Sequence, residues 1–327
     1  MNQGGNPPSI MHVYLPSYMV LDGQRTAALF DALAEAANPQ GGWSYQPGKS
    51  SRLEPTCWAL LARGLEPAHD VRSDASHKAF LDSCRRPKGW LVEDDSWPVN
   101  VAFNALVAFT SLNRRDLATE ETIRALVASL ATSKGVQFPQ TASFRQDNSL
   151  QGWAWLDTTF SWVEPTAWGM LVLHKAIQAG MVSEASARAR IAEAERLLID
   201  RCCHEGGWNF GNANVMGQDL FPHVPTTAIA LLALQGRREE PAVARSLAFL
   251  EAHWADEPSA LALGLTMICL RTYGRPVDEI ERQLLTHEQQ RLERRTTAGN
   301  DREPQNLHAM AVALTALSLS DHDTFRI

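Results

Sequence analysis

Carboxylates and tryptophans crowd the same short stretches of this sequence. Glu54 stands in EPTCW, Glu164 in EPTAW, Asp94 and Asp95 in VEDDSWP, and Asp157 in GWAWLDTTFSW. A carboxyl group walled in by aromatic rings loses the water that would stabilise its anion. It then stays protonated near neutral pH and can serve as a general acid. The same rings can stabilise a cation formed once the proton has moved. Asp157 has the fullest setting for this chemistry, with Trp153, Trp155, Phe160, Trp162 and Trp168 close by in the chain. Trp58, Trp97 and Trp168 stand near helix starts and are expected to face a cavity. Trp43, Trp90 and Trp208 follow glycines and are expected to wedge between repeats instead. Lys49 and Arg52 could pair with an anionic head group. Glu54 and Glu164 also have a plainer role, since an acid at a helix start contributes about 0.3–1 kcal/mol of stability on its own.

These residues recur in a repeated layout of glycine and tryptophan, a polar loop, a proline and an apolar helix. It appears in GGWSYQPGKSSRLEPTCWALLA, GWLVEDDSWPVNVAFNALVAF, GWAWLDTTFSWVEPTAWGMLVL and GGWNFGNANVMGQDLFPHVPTTAIALLAL. EPSALALGLTMICL and EPQNLHAMAVALTAL keep the proline-led helix and lose the tryptophan. The prolines at 55, 98, 165, 225, 258 and 304 fall 33 to 67 residues apart, a spacing suited to helical pairs. Pro fits a first helical position, where its missing N–H costs nothing. The helices behind the prolines are apolar almost all round and must be buried. Amphipathic helices are expected ahead of them at 21–37, 72–85, 120–133, 185–202, 240–254 and 277–292. Six outer helices alternating with six inner ones form an all-α (α/α)6 toroid. Residues 1–20 read as an N-terminal extension and 21–327 as one toroid of six hairpins. Because the inner helices run parallel, their loops open on one rim. That rim gathers Glu54, Asp94, Asp95, Asp157, Glu164, Asp219 and His223, and aims six positive helix ends at one mouth.

Bulk properties exclude several classes. A net charge of −7, a pI near 5.8 and the lack of a basic run argue against a nucleic-acid partner. No apolar run reaches the ~20 residues that span a bilayer, so an integral membrane protein is not expected. Five scattered cysteines without a CxxC, and no secretory pattern at the start, suit a reducing cytoplasm.

The layout resembles the prenyltransferase and squalene-oxidase/cyclase repeat family, on Gly41-Gly42-Trp43, Gly206-Gly207-Trp208, Pro165-Thr166-Ala167-Trp168 and Pro225-Thr226-Thr227-Ala228. The resemblance spans nearly the whole chain after residue 20. It implies a toroid whose inner helices enclose a funnel for isoprenoid or other apolar chains. One branch, the zinc-dependent protein prenyltransferases, resembles Pro47-Gly48-Lys49-Ser50 followed by Thr56-Cys57. Its zinc-binding histidine falls at Pro55 here, and its Asp-x-Cys, matched to Asp200-Arg201-Cys202, falls at the end of an outer helix. Three converging protein ligands are therefore missing, and no zinc is expected. A divalent ion serving a diphosphate head group stays open. If the ring closes, Glu54, Cys57 and His308 would meet. The other branch, the class II terpene cyclases, protonates an alkene or epoxide with an Asp-x-Asp-Asp-Thr signature. Aligned on Thr166-Ala167, its three aspartates fall at Trp162, Glu164 and Pro165, so one carboxylate remains. Glu93-Asp94-Asp95-Ser96 has paired acids three residues ahead of that place. The resemblance implies a terpenoid-cyclase-like toroid performing acid-initiated cyclisation or isomerisation, with Asp157 or Glu164 as donor. The alternative is a non-catalytic toroid that binds a partner protein.

Overall fold

The computed structural model describes residues 17–67, 69–141, 143, 145–298, 306–319 and 324–327, with backbone alone for 17–25 and 295–298. Outer helices α1 (Ser17–Glu35), α3 (Ala75–Ser83), α5 (Glu120–Thr132), α7 (Glu184–Asp200), α9 (Pro241–His253) and α11 (Asp278–Ala298) alternate with inner helices. The inner set is α2 (Leu53–Gly64), α4 (Val101–Asn113), α6 (Val163–Gln178), α8 (Val224–Ala233), α10 (Ala260–Thr272) and α12 (Leu307–Ser318). The inner helices pack in chain order, α2 on α4, α4 on α6, α6 on α8, α8 on α10 and α10 on α12. Helix α12 then returns to α2. That last contact closes the ring and makes the molecule the all-α toroid the repeats require. A two-residue hairpin, β1 (Asn214–Val215) and β2 (Gln218–Asp219), decorates the loop before α8.

Two expected boundaries move. Helix α1 begins at Ser17 and runs across the boundary expected at residue 20, while residues 1–16 lie outside the described set. The prolines do not stand at first helical positions. Pro55 and Pro165 are third in α2 and α6, and Pro225 is second in α8. The first four N–H groups of a helix lack partners within it, so proline is tolerated throughout that turn. The consequence is chemical, because Glu54 and Glu164 become second residues of their helices. Pro98 and Pro258 precede α4 and α10, whose starts are capped by Asn100 and Ser259. Pro304 lies outside the described residues.

Three of the hairpins are stapled by a Gly-Trp segment. The Trp43 N–H donates to Thr56 Oγ1 (2.8 Å), Trp153 to Thr166 (3.0 Å) and Trp208 to Thr227 (2.9 Å). Their indoles donate to the carbonyls of Leu33, Leu130 and Leu198 on outer helices. One tryptophan thus ties an inner helix to an outer one, with every polar atom satisfied. In the second repeat Asn104 holds both the N–H and the carbonyl of Leu91. Leu91, not the half-buried Trp90, fills the wedge position there, and Trp153 is a wedge although it neighbours Asp157 in sequence. The preceding glycines are required. Gly41 and Gly42 have φ of 94° and 77°, and a Cβ on Gly41 would lie 2.0 Å from the Ser76 carbonyl oxygen. The Gly42 N–H donates to Nδ1 of His77, which burial keeps neutral by lowering its pKa to about 4.

Candidate active site

Four inner helices hand their first N–H to the loop of a neighbouring repeat. Val101 donates to the Trp155 carbonyl, Val163 to that of Phe210, and Leu307 to that of Tyr45. Leu53 donates to the Glu93 carboxylate. All four entrances therefore lie on one rim, and the Leu307–Tyr45 bond carries the series across the closure of the ring.

Inside this rim stand Glu54 and Glu164, both second residues, on helices separated by α4. Glu164 is held protonated far above the usual carboxylate range. Burial raises its pKa to about 8, the Glu54 charge adds to the rise, and a side-chain hydrogen bond with Trp168 opposes it. Since α2 and α6 are not neighbours in the ring, repulsion between these carboxylates acts across the lumen. Glu54 accepts a hydrogen bond from the Tyr45 hydroxyl, whose own pKa is raised, first by burial and then by Glu54. His308 on α12 places Nε2 3.8 Å from Glu54 Oε1. That nitrogen is buried without a hydrogen-bond partner, and burial lowers the pKa of the ring while Glu54 pulls it up. The site pairs a protonated carboxylic acid with a carboxylate and a neutral imidazole.

Below the acids the lumen is aromatic. Trp58 and Trp168 meet edge to face at 5.8 Å, again from helices that are not neighbours, so their contact crosses the axis. Phe109 of α4 meets Trp168 at 5.5 Å. Phe325, only 1% exposed, stacks on Trp58 at 6.0 Å and packs against Phe109 at 5.2 Å. Its carbonyl accepts from Gln235 Nε2 (2.7 Å), just past the end of α8, so Phe325 enters from the rim opposite the acids.

The other candidate residues lie elsewhere on the mouth. Asp157 is exposed on a turn, so the burial that would make it an acid is missing. Its tryptophan neighbours divide among other tasks. Trp153 is the wedge, Trp155 packs on Phe103, and Trp162 stacks on Phe160 at 4.5 Å. Phe160 lines an off-axis groove of about 330 Å³ with Phe138, Leu150 and Arg201. Asp94 and Asp95 are exposed. Asp94 accepts from the Ser96 N–H and hydroxyl, and Asp95 pairs with Arg86. The inward member of that acidic run is Glu93, bound to Arg52 at 3.0 Å. Arg52 lies over Trp97, which is 44% exposed. His223 ends the loop before α8 with its ring against Phe210, Asp219 is exposed in β2, and Lys49 is exposed. Of the three residues expected to meet at ring closure, Glu54 and His308 do so. The Cys57 thiol instead bonds Thr110, and burial keeps it un-ionised. Cys202 sits beside Ser246, away from the mouth. Among the described residues no group of three or more His, Cys, Asp or Glu is arranged to hold a metal ion. Tyr45, Glu93, Phe109 and Phe325 have no motif of their own. For Glu93 the available signal was its place as first of three acids.

No protein-family model matches the chain, and no curated protein matches it in sequence. Solved structures match its fold. A variant of the type II terpene cyclase MstE from Scytonema, in complex with the product merosterolic acid A, is 15% identical, with a TM-score of 0.54 over 91% of this chain and 98% of that one. A second MstE variant, in complex with the substrate geranylgeranyl dihydroxybenzoate, is 14% identical, with a TM-score of 0.55 over 92% and 98%. A protein from Actinoplanes is 13% identical, with a TM-score of 0.56 over 91% and 98%. At this identity the likeness is one of fold, a terpenoid-cyclase-like toroid over nearly the full chain.

Proposed function

We propose that this toroid is a terpenoid-cyclase-like enzyme in which Glu164 protonates one end of an isoprenoid chain and starts cyclisation or isomerisation. The observation that carries the reading is the state of Glu164, a carboxyl held un-ionised near neutral pH directly above crossed indole rings. It stands where the second aspartate of the cyclase signature falls, and the terpene cyclase MstE shares the fold. The Glu164 O–H bond breaks as its proton passes to an alkene carbon or epoxide oxygen. The resulting cation is attacked by the next double bond of the chain, and Trp58 and Trp168 face the positive charge. Loss of a proton ends the sequence, and Glu54 with His308 beside it is the base within reach of the lumen. An acid this reluctant to ionise suits an acceptor more basic than a plain alkene, so an epoxidised chain is the first substrate to assay.

Incubation with prenyl and epoxyprenyl substrates, read by mass spectrometry, tests the proposal. Glu164→Gln keeps the size and removes the acidic proton, so turnover should fall by about 10²–10⁴-fold. Equal turnover in the two proteins, or none in either, defeats the acid assignment. The apolar side chains exposed beside the mouth, among them Phe138, Phe210, Met216 and Phe221, favour a second reading in which this rim docks a partner protein. That reading gains if no isoprenoid is turned over.

A further inference from the structure

The off-axis groove is walled by residues that take no part in the acid site. Its volume of about 330 Å³ is that of a small-molecule pocket. One side is apolar, where Phe138 and Phe160 meet edge to face at 5.8 Å and Leu150 lines the same space. Phe138 is half-exposed, so this wall is within reach of solvent. The other side is polar and unevenly satisfied. Arg201, 5% exposed, ion-pairs with Asp200 and donates to the Asp147 carbonyl (3.2 Å). A guanidinium carries more N–H groups than these two partners use, so Arg201 has donors left for the cavity it lines. Burial lowers the Arg201 pKa and raises that of Asp200, so both are short of water. Acceptors are left over as well. Asn148 donates through Nδ2 to the Pro139 carbonyl (3.1 Å), so its Oδ1 is the atom that accepts from Gln146 Nε2 (3.1 Å). That fixes Oε1 as the free end of Gln146, and it is buried without a donor. Asn212 bonds Asn209 through its backbone alone and keeps its side-chain amide for the groove.

We propose that this groove is a binding site for a small neutral aromatic carboxamide. The ring packs on Phe138, Phe160 and Leu150, the amide carbonyl accepts from Arg201, and the amide N–H groups donate toward Gln146 and Asn212. A carboxylate fits worse, because Asp200 already matches the Arg201 charge and a second anion would also face Asp147, which the same pair holds. The site uses neither Glu164, Glu54 nor His308, so it stands apart from the isoprenoid reading.

Fluorescence titration of naphthamide, acetylnaphthalene and naphthoate against the wild type, Phe138→Ala and Leu150→Trp tests the proposal. The amide should bind best, the ketone roughly tenfold more weakly for want of an N–H, and the carboxylate more weakly still. Leu150→Trp fills the groove and should abolish binding. Phe138→Ala removes one ring of the apolar wall and should weaken the amide by roughly tenfold. Because Phe138 is half-exposed, this second variant decides the matter if the bulkier one does not fold. Equal binding of amide and ketone, a carboxylate that binds as tightly as the amide, an unchanged affinity in Phe138→Ala, or no binding of any of the three compounds overturns the proposal.

Discussion

At the scale of single residues, the proposed chemistry turns on which carboxyl group is shielded from water. Asp157 and Glu164 read alike in sequence, each an acid among tryptophans. The difference is that Asp157 lies on a turn, whereas Glu164 lies in the first turn of a buried helix. Local composition records the rings but not the side of the chain that faces water, so it ranked the exposed Asp157 level with or ahead of Glu164. Asp157→Asn should leave turnover unchanged and stability within about 0.5 kcal/mol of the wild type, as measured by chemical denaturation. Glu164 makes a prediction in pH. Its folded pKa of about 8 lies above the ordinary value of 4.5. The folded state therefore holds its proton more tightly than the unfolded chain does. The stabilisation is fully present below about pH 4.5 and is lost as pH rises through 8. Turnover should fall over the same upper limb. Glu164→Gln should flatten the decline in melting temperature between about pH 5 and 8, and an unchanged slope would mean that the carboxyl is ordinary.

At the scale of elements, periodicity and proline made most of the helices legible, and all six expected outer helices appear, five within four residues of their expected bounds and α11 running six residues past its own. Proline fixed the place of each start less well, because the first turn accepts it at several positions. That ambiguity of two residues decides whether Glu54 and Glu164 precede their helices or belong to them. The tryptophan staple was half legible. Glycine before tryptophan marks it in the first, third and fourth segments, but in the second the residue held in the wedge place is Leu91, one past the tryptophan, with Asn104 as its partner. Thr166→Val removes the acceptor of the buried Trp153 N–H and should cost about 1–3 kcal/mol in urea denaturation. Gly169→Ala would place a methyl 2.4 Å from the Trp153 indole and should cost a similar amount through overpacking. His77 adds a pH effect of opposite sign to that of Glu164. Its folded pKa of about 4 lies below 6.5, so its contribution is present above pH 6.5 and fades as pH falls toward 4. His77→Gln should blunt the loss of stability in that window.

At the scale of the whole molecule, the closed ring follows from arithmetic that the sequence shows plainly. Six helices that are apolar all round cannot each find a dry neighbour on both sides unless the last meets the first. The filling of the ring could not be read in this way. Phe325 lies far in sequence from Trp58 and Phe109, and nothing in its local pattern announces that it occupies the axis. A chain ending at residue 305, which lacks α12, should not persist as a five-hairpin toroid. The faces of α2 and α10 that α12 covers would be exposed together, and size-exclusion chromatography should show aggregate in place of monomer. The rim bonds add a mechanical corollary. Because Leu53, Val101, Val163 and Leu307 each borrow an acceptor from another repeat, their helices are gripped like staves in a hoop, and the gap between the two glutamates is fixed by the perimeter rather than by either side chain. Prising two staves apart would slacken the hoop itself, so the rim should resist opening sideways.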